Sequence, residues 1–213
     1  RLEGPKGTLT ADVRLERTPR RIAAEITLDE ASGGIVAALI QRPDLPGVSL
    51  QLSARGDERD GTAQLTAKAG DTATAKGDLR WMPDGNETGF QAGLDAGPID
   101  VPEQGVAWKG LHLKANGKLS GVVRIQGKVE ELKLATLDPR LPQPGTVTVD
   151  ATLADLSSEK IRIRSFDVAM PLVRLKGEGD YAPSLDRGEV RANVDLPSLA
   201  PLSAIAGRAL TGK

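Results

Sequence analysis

Apolar and polar residues alternate one by one through most of this chain, and that two-residue period most narrows what it can fold into. A strand turns successive side chains to opposite faces, so strict alternation marks a strand with one apolar and one polar face. Over Thr8–Glu16, Leu9, Ala11, Val13 and Leu15 take one phase, and Thr8, Thr10, Asp12, Arg14 and Glu16 take the other. The same reading gives Ile22, Ala24, Ile26 and Leu28, then Val48, Leu50, Leu52 and Ala54, then Ala63, Leu65, Ala67 and Ala69. Ala73, Ala75, Leu79 and Trp81 follow, and then Phe90, Ala92 and Leu94. Val106 and Trp108 lead to Leu111, Leu113 and Ala115 with the phase changed at Gly110, as a β-bulge would change it. Beyond them come Leu119, Val123 and Ile125, a less ordered Leu132, Leu134 and Leu137, and then Val147, Val149, Ala151 and Leu153. The last sets are Ile161 and Ile163, Val173 and Leu175, and Val190, Ala192 and Val194. The pattern predicts roughly twelve to fourteen short strands joined by turn sequences such as Pro83-Asp84-Gly85-Asn86 and Asn116-Gly117.

Two segments leave this period. Asp29-Glu30-Ala31-Ser32 opens onto Ile35, Val36, Leu39 and Ile40 and closes at Pro43, which predicts a short helix over about 30–41. Leu199, Leu202, Ile205 and Ala206 share one helical side, with Pro201 tolerable in the first turn, so a second helical or 3-10 element is expected over about 199–208. The rest is antiparallel β.

Amphipathic strands of this kind suit a single elongated sheet, curled so that its apolar face lines a trough. The alternative is a β-sandwich that buries the same face. Aromatic residues are only 2% of the chain, which leaves Leu, Val, Ile and Ala to build that face. The whole of residues 1–213 is read as one β segment, and its last residues, Ala209–Lys213, resemble the opening of a further strand. The longest uninterrupted apolar run, Ile35–Ile40, is far shorter than the ~20 residues a membrane-crossing helix needs.

Few chemistries are open to this composition. There is no cysteine and one histidine, His112, so thiolate and multi-histidine metal sites are excluded. His112 falls in the polar phase of its strand and reads as solvated, not as a catalytic base. Lys and Arg total 28 against 29 Asp and Glu, with the basic residues spread and not interleaved with aromatics, which argues against nucleic acid as a partner. No phosphate-binding glycine loop precedes a helix, and no carboxylate pair stands out. The expectation is a protein that is not an enzyme and needs no cofactor or metal.

What remains is the apolar phase itself. Aliphatic residues lining an open trough suit acyl chains, whose burial gains about 0.8 kcal/mol per CH₂ without directional polar contacts. The candidate lining residues are Leu50, Leu52, Leu65, Leu79, Trp81, Phe90, Leu111, Leu113, Val123, Ile125, Val147, Val149, Ile161, Ile163, Val173, Leu175, Val190 and Val194. Polar headgroups would stay at the lip, near charges such as Lys109, Lys114 and Arg124. The same residues could equally form the core of a structural module that binds a protein partner through a sheet edge.

Two stretches carry a family resemblance. The run Ala37-Ala38-Leu39-Ile40-Gln41-Arg42-Pro43-Asp44-Leu45-Pro46-Gly47-Val48-Ser49-Leu50 resembles a helix–turn–strand element of the TamB family of large envelope proteins of Gram-negative bacteria. Asp195–Lys213, with its Leu196-Pro197-Ser198-Leu199-Ala200-Pro201-Leu202-Ser203 core and Ala206-Gly207-Arg208-Ala209-Leu210-Thr211-Gly212 end, is similar to another element of that family. The resemblance implies an AsmA-like, bridge-like lipid-transfer protein, held in the inner membrane by an anchor outside this segment and spanning the periplasm. It further implies a β-taco with a hydrophobic groove for phospholipid, an Omp85-type partner in the outer membrane, and a part in outer-membrane biogenesis and protein assembly. On that reading the chain is an internal, periplasmic slice of the groove.

Overall fold

The computed structural model describes residues 2–4, 7–17, 20–34, 46–101, 105–118, 121–137, 143–154, 161–170, 173–185, 187–196, 198, 200 and 203. The chain divides into two compact units, Arg1–Gly97 and Pro98–Lys213. Both are antiparallel β, and the sheet is not closed into a barrel.

The first unit holds β1 (Leu2–Gly4), β2 (Gly7–Arg17), β3 (Arg20–Glu30), β4 (Val48–Gly56), β5 (Gly61–Ala69), β6 (Ala73–Asp84) and β7 (Glu87–Ala96). They pair in sequence order, each with the next. The register explains why alternation alone could specify the sheet. Antiparallel partners share a face, so each ladder row can be followed across the sheet. One row runs Leu9–Leu28–Leu50–Ala67–Ala75–Ala96, the next Ala11–Ile26–Leu52–Leu65–Gly77–Leu94, and the third Val13–Ala24–Ala54–Ala63–Leu79–Ala92. A fourth passes through Gly56, Gly61, Trp81 and Phe90. The intervening rows are polar: Thr10–Thr27–Gln51–Thr66–Lys76–Asp95, and Asp12–Glu25–Ser53–Gln64–Asp78–Gly93. A slip of one residue in any strand would put a whole apolar set among charges, so the register is firmly fixed.

The second unit holds β8 (Ile99–Val101), β9 (Val106–Trp108), β10 (Gly110–Lys118), β11 (Val122–Leu134), β12 (Gly145–Ala154), β13 (Ile161–Ala169), β14 (Arg174–Ala182) and β15 (Arg187–Asp195), with a 3-10 turn at Pro183–Leu185. Strands β10 to β15 pair in order, and the β8–β9 ribbon joins the far end of β11. The apolar rows are Leu113–Gly127–Val149–Val168–Leu175–Val194, Ala115–Ile125–Ala151–Phe166–Gly177–Ala192 and Gly117–Val123–Leu153–Ile163–Gly179–Val190.

Two bulges keep these rows intact. Between Val129 and Leu132, β11 carries one residue more than its partner β12, and Glu131 takes φ 50°, a left-handed conformation unusual outside glycine. Across the same point the phase change expected at Gly110 is found one residue earlier, at Lys109 between β9 and β10. The Lys109 amide donates to the Glu130 carbonyl at 2.9 Å. A second bulge at Arg164–Ser165 in β13 shifts the register against both neighbours. It brings Phe166 and Val168 onto the face that Ile161 and Ile163 occupy.

The expected helix over 30–41 begins otherwise. Glu30 is the last residue of β3 and residues 31–34 form a turn with Gly33 at φ 69°; residues 35–41 lie outside the described set. The two glycines that would sit mid-helix instead release the chain from the strand. Within 199–208, Ala200 lies in a 3-10 turn and Ser203 in a helical turn, and the other residues are outside the described set.

The described residues form no thick core. Among the described residues only Val123, Val147 and Ala154 are buried hydrophobics, and no side chain is fully buried. A sandwich would enclose large apolar side chains between its layers, and among the described residues none is enclosed.

Candidate functional site

Each unit presents one unbroken apolar face, and these two faces are the candidate site. In the first unit six strands at ~4.8 Å spacing make a face about 25 Å across. Leu50, Leu52, Leu65, Leu79, Trp81 and Phe90 all lie on it, half-buried except for Leu79 at 37% exposure. In the second unit Leu111, Leu113, Val123, Ile125, Val147, Val149, Ile161, Ile163, Leu175, Val190 and Val194 share one face by register. Val173 sits apart from the ladders, at the turn before β14, where its carbonyl accepts from the Met170 amide at 2.9 Å. Val190 and Val194 lie on the outermost described strand and are 57% and 63% exposed.

Several face residues are absent from the sequence-based set. Leu9, Ile26, Leu28 and Leu94 belong to the first face, and Phe166 and Val168 to the second. The signal for Phe166 and Val168 was a short alternation, Ser165-Phe166-Asp167-Val168, in the opposite phase to Ile161 and Ile163.

Aromatic side chains lie flat over glycines on these faces. A Cβ at Gly61 would run into the Trp81 ring, and one at Gly177 would meet Phe166 Cζ at 2.7 Å. Trp81 Nε1 also donates to the Asp57 carbonyl at 2.7 Å, which ties the ring to the β4–β5 turn. That turn is closed by the Asp57 carboxylate, which accepts from the Asp60 and Arg59 amides at 2.9 and 2.7 Å. These two backbone donors hold the Asp57 carboxyl below its ordinary range.

The opposite faces carry the charge, much of it in pairs. Arg124 donates from Nε to Asp150 Oδ1 at 3.1 Å, and its second nitrogen donates to the other carboxylate oxygen. Arg174 grips Asp167 in the same two-toothed way, with Nε to Oδ1 at 2.8 Å. Arg124 lowers the Asp150 carboxyl, with Gln126 adding to it, and Arg174 does the same for Asp167. Lys128 lowers Glu130, which lies 3.9 Å from His112. Lys114 and Arg124 sit on the polar face, Arg124 is engaged with Asp150, and Lys109 is paired with Glu131 at 2.9 Å.

Among the described residues no group of three or more His, Asp or Glu could hold a metal ion. Shallow hollows on the polar faces are lined by mixed charges: Arg14, Glu25 and Arg55 in the first unit, Arg162, Asp180 and Arg191 in the second. They offer no convergent chemistry.

Comparison with family models, with curated proteins and with solved structures finds no match. The assignment of a role therefore rests on the geometry of the faces and on the residues of the two resembling stretches. Among the described residues no helix is long and apolar enough to cross a membrane.

Proposed function

We propose that this chain is part of a bridge-like lipid conduit of the TamB type, in which the apolar strand faces solvate phospholipid acyl chains between the inner and outer membranes. The observation that carries the reading is the set of continuous apolar ladder rows with no layer of side chains enclosed over them. Contiguous apolar surface well beyond a few hundred Å² marks a binding surface, and a face of Leu, Val, Ile, Ala and flattened aromatics fits hydrocarbon. The reading gives the faces no catalytic role; among the described side chains the titratable ones in their apolar rows are Glu30 and Tyr181, at the ends of their strands. The periplasmic setting, the anchor outside the segment and the Omp85-type partner belong to the same proposal, and their support is the resemblance of Ala37–Leu50 and Asp195–Lys213.

The test is native mass spectrometry of the purified chain with lipid extraction of the same sample. Phospholipid should co-purify, and Leu65→Glu, at the centre of the first face, should abolish its binding while the circular dichroism of the sheet is retained. A charge placed in an enclosed core would instead cost several kcal/mol and unfold the unit. A lipid-free wild-type protein, or unfolding by Leu65→Glu, overturns the conduit.

A further inference from the structure

Two strand edges carry matched patterns. β15 pairs with β14 on one side, and among the described residues no strand pairs with its other side. β2 pairs with β3 along its whole length, whereas on its other side β1 covers only Gly7–Leu9. Thr10–Arg17 therefore presents a free edge among the described residues. Val13 on the first edge and Val190 on the second are exposed on the apolar face to nearly the same degree, 56% and 57%, and β15 also exposes Val194 at 63%. Each also carries an exposed charge pair along the strand on the polar face. Arg14 meets Asp12 at 3.3 Å, and Arg191 meets Glu189 at 3.2 Å.

We infer that the β15 edge of one copy adds to the β2 edge of a second copy, head to tail, in the antiparallel register that sets Arg191 opposite Asp12. That register also sets Glu189 opposite Arg14, Val190 opposite Val13, Ala192 opposite Ala11 and Asn193 opposite Thr10. Both charge pairs trade a neighbour on their own strand for a partner across the junction. Both valines gain cover, and the apolar rows continue from copy to copy. In sequence the match runs on, with Arg187 at the Glu16 position.

Alternative registers are penalised. A shift of two residues one way faces Glu189 with Asp12 and Arg187 with Arg14, and the other way faces Arg191 with Arg14. Like charges directly opposite are destabilising. A shift of one residue turns apolar residues onto the polar face. The same charge pairs would also allow either edge to meet its own copy about a two-fold axis. The head-to-tail register is favoured because it adds the Arg187–Glu16 match and the Asn193–Thr10 pair. A head-to-tail contact does not stop at two copies unless it closes into a ring.

Sedimentation velocity over a wide concentration range, with two charge-inverted variants, tests this. The wild-type chain should form species beyond the dimer as concentration rises. D12R/R14D should associate about tenfold or more weakly, and so should E189R/R191E. A mixture of the two should regain wild-type association, because each inverted edge fits the other and each native edge still has a native partner. The substitutions lie on exposed strand edges, and circular dichroism checks that both variants keep their sheet. A wild-type chain that stays monomeric overturns the proposal. Association unaffected by either variant alone means that an edge meets its own copy, where inversion in both copies preserves the opposite charges, or that neither edge takes part; either outcome overturns the proposal. Failure of the mixture to recover overturns it as well, because the inverted charges then act otherwise than across this junction.

Discussion

The first unit holds its apolar rows without a single register shift from β2 to β7, whereas the second changes phase at Lys109, at Glu130–Glu131 and at Arg164–Ser165. Both reach the same result, one apolar face against one charged face. The first does so by strict alternation in the sequence, and the second by inserting a residue wherever alternation fails. The comparison shows that what is maintained is the face and not the period. A bulge lets a sequence change phase without putting apolar groups among charges. The polar faces differ as well: the second unit has two bidentate Arg–Asp pairs, while the described pairs of the first lie along a single strand at Asp12–Arg14.

The sharpest way to break this comparison is to overload a bulge. Inserting one alanine after Ser165 gives β13 a second extra residue against both neighbours and turns Phe166 and Val168 onto the charged face, or else pulls β13 out of pairing with β14. Losing the cover of two half-buried apolar side chains costs about 2–4 kcal/mol. Amide hydrogen exchange should show protection lost across β13, β14 and β15 and retained in the first unit. If protection stays uniform, the bulge is not what holds the second face together.

The next effect concerns the glycines beneath the rings, which both units share. Gly61→Val would push its side chain into the Trp81 ring, and Gly177→Val would meet both Phe166 and the Arg191 carbonyl. Overpacking of this kind costs about 1–3 kcal/mol. In the first unit the displaced indole also loses the bond from its Nε1 to Asp57. Trp81 fluorescence should shift on Gly61→Val. Gly127→Ala serves as the control: its new methyl would press only on the flexible end of Leu113 at 3.0 Å and make an ordinary contact with Val149 Cβ at 3.7 Å, so its effect on chemical denaturation should be much the smallest. Equal effects for all three would mean that the rings do not rest on the glycines.

How much of this was legible in the sequence follows from the same contrast. Leu50, Leu52 and Leu65 could be placed on one face from alternation alone, because their strands never change phase. Phe166 and Val168 could not, because a bulge is fixed by where the partner strands sit, and Ile161 and Ile163 set the wrong phase for what followed. The phase change near Gly110 was visible, yet the extra residue on the opposing strand, at Glu131, was not. Alternation also says nothing about which charges pair across strands, so Arg124 is read from sequence only as a charge near the lip, whereas the ladder sets it diagonally across from Asp150. The helix expected over 30–41 follows from i, i+4 spacing, which the two glycines weaken, and Gly33 instead takes positive φ in a turn.

The smallest effect expected is electrostatic and again separates the units. Arg124 and Arg174 hold the Asp150 and Asp167 carboxyls below their ordinary range. A carboxyl whose folded pKa lies below its unfolded value adds stability that is complete above the unfolded value, near 4. That contribution is lost as pH falls through the lower folded value. The pairs are exposed and screened by solvent, so their share is modest. Asp150→Asn and Asp167→Asn should therefore lower the thermal midpoint slightly at neutral pH. The gap from wild type should narrow as the pH falls below about 4, because both proteins are then without the charge. Added salt should narrow it at neutral pH too. Asp12→Asn in the first unit, which removes one partner of an exposed pair along a single strand, should change the midpoint less than either. A gap that widens on acidification would show that the ladder pairs of the second unit do not stabilise its polar face.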